Sequence, residues 1–243
     1  MSEPERKAMG RRCFNNIARS ALDRSVVWNA DQTMVEKYVR IDGLEHLRGA
    51  ADHPLIVIAP HFVGLDAGGI RLATLMRCVS IYARQSNAVW DQWLLKGRAR
   101  FGAPLLIARQ GADMRLLVRS VRQGLPLYYL PDMDLGAVNS IFVPFFSVPA
   151  ATIPMVPRIA RITGAQVMMA VTEMTADGYV LHFEAPWSDF PGDSIEADTE
   201  RMNREIERWV LKMPDQYMWT HRRFKTRPVG DPKLYGRAAR RST

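Results

Sequence analysis

Cysteine is nearly absent from this 243-residue chain: Cys13 and Cys78 stand far apart, in no Cys-x-x-Cys or Cys/His spacing. Two thiols are too few for a disulfide framework in a domain this size, which points to a reducing, cytoplasmic setting and to no metal centre. Long apolar runs are missing too. Nowhere do 18 apolar residues follow one another, and residues 1–10 are charged where a secretory leader needs an apolar stretch. The chain as given is expected not to span a bilayer but to rest on one through basic and exposed apolar side chains. There is no G-x-G-x-x-G loop, which argues against a nucleotide cofactor, and no G-x-S-x-G elbow to supply a serine nucleophile. Internal repeats and low-complexity linkers are also lacking.

What is present is a moderately apolar chain with a basic surplus. Hydrophobic residues make up 47% of a length sufficient for one well-buried α/β domain and short for two, so a single domain over residues 1–243 is expected. Its 33 Lys and Arg against 25 Asp and Glu give a formal charge of +8. The excess gathers near the C-terminus at Arg222, Arg223, Lys225, Arg227, Lys233, Arg237, Arg240 and Arg241. Nucleic acid, phospholipid headgroups, a phosphorylated glycolipid and an acidic carrier protein all fit that charge, and so does a plain solvated, flexible tail over residues 225–243.

Periodicity supplies the fold class. Residues 4–26 and 31–37 read as helices, making an N-terminal helical segment over residues 1–40. Alternation then begins, with strands expected at 55–59, 79–83, 104–107 and 125–130 and helices at 66–77, 91–101 and 113–122. This βαβ series predicts a mostly parallel central sheet with helices on both faces and a ligand crevice beyond the carboxyl ends of the strands. A helix at 156–163, a hairpin-like pair of strands at 166–173 and 179–184, and an amphipathic helix carrying Met202, Ile206, Trp209, Val210 and Met213 complete the pattern.

The most informative stretch is Leu55-Ile56-Val57-Ile58-Ala59-Pro60-His61, followed by Asp66. Five β-prone residues without a polar interruption read as a strand buried on both faces, and Pro60 ends it, leaving His61 in a strand-to-helix loop. A turn there folds the first-turn carboxylate of Asp66 back onto the imidazole. His61 is then a general base with Asp66 as its orienter, the base half of a triad without a nucleophile. The plainer alternative is a loop histidine beside a helix N-terminal carboxylate.

Three further blocks accompany this pair. They are residues 82–87 (YARQSN) with 97–102 (GRARFG), residues 130–136 (LPDMDLG) leading to 142–152 (FVPFFSVPAAT), and residues 214–228 (PDQYMWTHRRFKTRP). In this order the blocks resemble the late acyltransferases of lipid A biosynthesis, the lauroyl and myristoyl transferases of the wider H-x-x-x-x-D/E acyltransferase superfamily. A weaker likeness over residues 2–16 extends the match to nearly the whole chain. The resemblance implies an acyltransferase-like fold and transfer of a fatty acyl chain from acyl carrier protein thioester to a hydroxyl of an anionic lipid A precursor. It also implies work at the cytoplasmic face of the inner membrane, with no cofactor beyond the thioester co-substrate. Two departures stand out: the family's N-terminal membrane helix lies upstream of where this chain starts, and Ala83-Arg84-Gln85 replaces a Tyr-Arg-Pro stretch.

Within that frame Arg84 and Arg98 are expected to grip phosphates or carboxylates of the acceptor, and Arg98 also to stabilise negative charge developing near the dyad, with a surface salt bridge as the alternative for each. Asp132 and Asp134 are expected to orient those arginines or bind acceptor hydroxyls, or simply to form a turn. The aromatic and proline-rich residues 142–149 are expected to line an acyl channel or supply backbone donors to the thioester oxygen, with a buried strand and turn as the alternative. Arg222, Arg223, Lys225 and Arg227 are expected to meet anionic lipid or the carrier protein, and Trp90, Trp93 and Trp187 to sit at the membrane interface or pack. Rival readings are a glycolipid or aminolipid acyltransferase with a coenzyme A donor or another acceptor, and an idle member that binds anionic membranes or nucleic acid.

Overall fold

In the computed structural model, which describes residues 1–236, two helices lead into an alternating chain. These are α1 (Glu3–Val27) and α2 (Gln32–Tyr38), the second capped by the Asp31 carboxylate, which accepts the Met34 N–H. There follow β1 (Val39–Asp42), α3 (Leu44–Gly49), β2 (Leu55–Ile58), α4 (Leu65–Ala73), β3 (Val79–Tyr82), α5 (Ala88–Arg98) and β4 (Leu105–Ala108). Then come α6 (Met114–Arg122), β5 (Leu127–Tyr129), β6 (Ile141–Phe145), β7 (Val148–Thr152), α7 (Met155–Thr163), β8 (Gln166–Thr175), β9 (Gly178–Phe183) and α8 (Ile195–Lys212). Side-chain caps start α5, α6 and α8 at Asn87, Asp113 and Ser194, so polar residues already visible in the sequence fix where each helix begins. The expected helical segment over residues 1–40 ends early, because Val39 enters the sheet as β1.

The main sheet runs β1-β9-β8-β2-β5-β3-β4, parallel throughout except for the antiparallel β8–β9 pair. The mostly parallel α/β architecture expected from the βαβ pattern is therefore present. Successive residues of β2 feed opposite faces, as the two-residue period of a strand demands. Ile56 and Ile58 join a core with α6, α7 and α8, while Leu55 and Val57 join one with α1, α2, α3 and α4. All four are fully buried, which accounts for the uninterrupted apolar run.

Sheet order decides what can meet. Because β2 and β5 are hydrogen-bonded neighbours, the loops leaving their carboxyl ends lie side by side, and the Ala59 N–H donates to Tyr129 O at 2.8 Å to extend the pairing. Residues 141–152 form a separate antiparallel hairpin, turned at Phe146 and Ser147, both at positive φ. The hairpin packs on α8: Asn203 donates to Pro144 O, and Glu207 accepts the Phe146 N–H. Phe145 is buried in the core, so this segment takes the strand-and-turn alternative.

The loop after β2 lies tightly on β8. A Cβ on Gly64 would meet the Thr172 Cγ2 and its carbonyl oxygen, both at 2.8 Å. Gly64→Ala is expected to lower stability by about 1–3 kcal/mol through overpacking, read as a reduced urea midpoint at unchanged slope. An unchanged midpoint would contradict this close packing.

Candidate active site

His61 leaves β2 into a short loop whose main chain is held by the distant C-terminal segment. Met218 donates its N–H to His61 O at 2.9 Å, Val63 donates to Gln216 O at 2.9 Å, and Phe62 pairs with Tyr217 as an isolated bridge. The loop is thus fixed from two sides, by β5 and by residues 216–218.

The carboxylate that reaches His61 is Asp132, from the loop after β5. Its Oδ1 lies 2.7 Å from His61 Nδ1, and its Oδ2 accepts the His61 backbone N–H at 2.9 Å. One acid therefore holds both ring and main chain of the same residue. Asp132 is 1% exposed. Burial alone pushes its pKa up, but the charge and hydrogen bonds of His61, with the Arg223 guanidinium nearby, more than offset this and hold it at about 2. An ionised carboxylate only accepts, so Nδ1 carries the proton and Nε2 is left as the basic nitrogen. The His61 side chain is 11% exposed, enough to present an edge.

Asp66 takes another course. It stands in the first turn of α4, where Oδ1 accepts from Arg98 Nε at 3.2 Å and Nη2 at 2.9 Å, and Oδ2 accepts from Arg24 Nε at 2.8 Å. Both oxygens are occupied, and no hydrogen bond joins Asp66 to His61 among the described residues. The expected His61–Asp66 pair is thus corrected to His61–Asp132. The reason is helical: α4 turns its first carboxylate toward α1 and α5, where two guanidiniums outweigh the burial penalty and hold its pKa below the usual range.

The other expected residues divide. Arg98 takes the salt-bridge alternative, to Asp66, yet stays one-third exposed and lines a cleft. Arg84 is exposed on the loop after β3, and no guanidinium partner is found for it among the described residues. Among the described residues Asp134 orients no arginine by hydrogen bond. It is buried and accepts from Gly136 N, Thr226 N and Thr226 Oγ1 at 2.7 to 3.0 Å, which ties this corner to the C-terminal segment. Arg222 and Lys225 are exposed as expected.

Arg223 and Arg227 are corrected: neither is a surface contact. Arg223 is 2% exposed, donates to Ala151 O and Thr152 Oγ1 at 2.6 Å each, and lies over the Phe145 ring. Arg227 is nearly buried, donating to Pro149 O and Asp231. Arg237, Arg240 and Arg241 lie outside the described residues. Trp187 packs on the core beside Phe190, whereas Trp90 and Trp93 are partly exposed on α5.

Sequence reasoning also missed His221, in the 3-10 turn Trp219–His221, whose ring meets that of His61 edge to face at 4.6 Å between centroids. Burial first, then the neighbouring His61, lowers its pKa to about 4. Its signal was its place in the 214–228 block. A cleft with a cavity volume of about 90 Å³ reaches the His61 and Asp132 loops at Leu65 and Leu130, includes Asp66 and Arg98 in its lining, and is lined by neither His61 nor Asp132. Ile70, Ala73, Pro104 and Leu106 give it apolar walls. Among the described residues no group of His, Cys, Asp and Glu side chains could hold a metal ion.

This arrangement can accept a proton at His61 Nε2. Residues 1–226 match the family described as bacterial lipid A biosynthesis acyltransferase. The chain is 30% identical to the lipid A biosynthesis lauroyltransferase of Escherichia coli strain K12, over 97% of this chain and 78% of that protein. It is 30% identical to the palmitoleoyltransferase of the same organism, over 96% of this chain and 77% of that protein. It is 28% identical to the myristoyltransferase, over 97% and 74%.

The two shifted groups make stability depend on pH. His221 binds its proton more weakly folded than unfolded, so between about 6.5 and about 4 the unfolded chain holds more protons and stability is lost as pH falls. Asp132, depressed to about 2, contributes stability that is present above the usual carboxylate range and is lost as pH falls through its folded value. Urea unfolding from pH 7 to 4 should show the first loss in the natural protein and a flatter profile in His221→Phe, whose ring cannot charge. Identical profiles would contradict the assignment, which takes His61, Asp132 and Lys225 as the groups facing His221.

Proposed function

This chain belongs to the bacterial lipid A biosynthesis acyltransferase family, and we propose that it moves a fatty acyl chain from acyl carrier protein thioester to a hydroxyl of a lipid A precursor. The observation that carries this reading is a histidine whose Nδ1 is committed to a buried carboxylate, on loops that reach an apolar cleft at Leu65 and Leu130. His61 Nε2 takes the proton of the acceptor hydroxyl as its oxygen bonds to the thioester carbonyl carbon. The carbon–sulfur bond then breaks, and the departing thiolate recovers the proton from His61. Ester and free thiol result, with no acyl-enzyme.

Asp132 is the positioning acid in this scheme. It fixes the tautomer and offsets the imidazolium charge that forms during transfer. Asp66 acts through its arginines, holding Arg98 in the cleft lining, where a guanidinium meets phosphate on the acceptor. Arg84, exposed on the loop after β3, offers a further cation to an anionic acceptor.

Arg222 and Lys225 face outward, and each is worth about 1 kcal/mol near an anionic surface. With partly exposed Trp90 and Trp93 they support peripheral work at the cytoplasmic face of the inner membrane. No helix among the described residues is long and apolar enough to cross a membrane. An acidic carrier protein would meet the same cations.

The test is a mass-resolved acylation assay with purified protein, acyl carrier protein thioesters and a lipid A precursor. The expected product is heavier by one acyl chain. His61→Ala should abolish it, and Asp132→Asn should lower kcat by about 100- to 10,000-fold with KM little changed, the range set by losing an oriented base. Asp66→Asn, which frees Arg98, should mainly raise KM for the acceptor. Normal turnover by folded Asp132→Asn, or a loss of kcat in Asp66→Asn equal to that of His61→Ala, would overturn this division of roles.

A further inference from the structure

Acyl transfer through His61 uses one imidazole of a touching pair. The His221 ring stands 4.6 Å from that of His61 between centroids, at 77° between planes. A single residue also ties their main chains together. Met218 donates its N–H to His61 O at 2.9 Å, and its own carbonyl accepts the His221 N–H at 3.1 Å. The 3-10 turn Trp219–His221 thus fixes the second histidine against the first.

The His221 side chain is uncommitted. Neither nitrogen of its ring finds a hydrogen-bond partner among the described residues, and neither is sealed from the surface. The same holds for His61 Nε2, so both rings keep an open nitrogen. Burial and the neighbouring His61 lower the His221 pKa to about 4, which leaves the ring neutral at neutral pH. A neutral imidazole still donates one N–H, and it sets no positive charge against the imidazolium that His61 becomes.

Main-chain donors around His61 are already spent within the fold. The N–H groups of His61, Phe62 and Val63 go to Asp132, Pro60 O and Gln216 O. Those of Met218, Trp219 and Arg222 go to His61 O, Tyr217 O and Trp219 O. Yet acyl transfer calls for a donor: as the acceptor oxygen bonds to the thioester carbon, the carbonyl π pair moves onto oxygen, and a fixed N–H aimed at that charge lowers the barrier.

We propose that His221 is a second catalytic residue, its ring N–H donating a hydrogen bond to the thioester carbonyl oxygen as that oxygen becomes negative. The hydrogen stays on His221 throughout. When the carbon–sulfur bond breaks, the electron pair on oxygen re-forms the carbonyl, and sulfur leaves with the bonding pair and takes its proton from His61. One imidazole thus moves the proton while its neighbour holds the charge. The assignment rests on the acyl-transfer reading for its substrate, but it can fail separately.

The experiment compares the natural protein with His221→Phe, which keeps an aromatic ring against His61 but no donor, and with His221→Gln and His221→Asn, which keep an N–H donor without the ring. Each is assayed with acyl carrier protein thioesters of dodecanoate and tetradecanoate and a lipid A precursor. Losing one such donor costs about 100- to 1,000-fold in kcat, so folded His221→Phe should fall by that much with both KM values changed by less than about threefold. The better of the two amide variants should recover about tenfold or more of that loss. Nitrogen-15 spectra of His221→Phe should still show His61 protonated on Nδ1, which separates a donor to substrate from a prop that only positions His61. Near-natural kcat in His221→Phe, amide variants no faster than it, or an altered His61 tautomer would overturn the assignment. Turnover by the natural protein that His221→Phe matches sinks this assignment alone, whereas no transfer by the natural protein sinks the transfer reading and this one with it.

Discussion

The structure turns on one buried carboxylate. Asp132 grips His61 twice, at the ring and at the main chain, across 71 residues of sequence. Placing an ionised acid at 1% exposure costs several kcal/mol unless its oxygens are filled, and removing one partner of such a pair typically costs about 3–5 kcal/mol. The two His61 contacts and the charge of Arg223 are what make the burial tolerable. In return the acid fixes which nitrogen of His61 is free. Stability and chemistry here use the same bond.

That grip needs a wall behind it, which the segment after α8 supplies. Gln216 exchanges hydrogen bonds with the main chain of Met174 on β8, at 2.7 and 2.9 Å, and Met218 holds His61 O. Further along, Thr226 fills Asp134, and Arg223 lies beneath Phe145. The hairpin of β6 and β7, α8 and this segment form one packed unit around the histidine loop. His221 arrives with it and meets the His61 ring edge to face. Arginines that in sequence look like a cationic surface are here donors to buried carbonyls, with Arg222 and Lys225 left to face outward.

Much of this was readable in the chain because local rules governed it. The apolar run 55–59 is buried on both faces, the βαβ alternation gives a mostly parallel sheet, and His61 does lie at the carboxyl end of a strand. What was not readable depends on strand order. Nothing in residues 55–66 says that β5 will be the neighbour of β2, so the acid nearest in sequence was paired with His61 when the acid nearest in space is Asp132. The Asp66 carboxylate was misassigned because its partners, Arg24 and Arg98, come from helices on either side of it in sequence. Burial of Arg223 and Arg227 was hidden for the same reason: their acceptors are backbone oxygens, which carry no sequence signal.

The most direct test of the central claim is nitrogen-15 NMR of histidine-labelled protein at neutral pH, with the His61 resonances assigned by comparison with His61→Ala. The Asp132 grip predicts that neutral His61 carries its proton on Nδ1, leaving Nε2 unprotonated, and that Asp132→Asn disturbs this tautomer. A proton on Nε2 in the natural protein, or the same spectrum in Asp132→Asn, would contradict it.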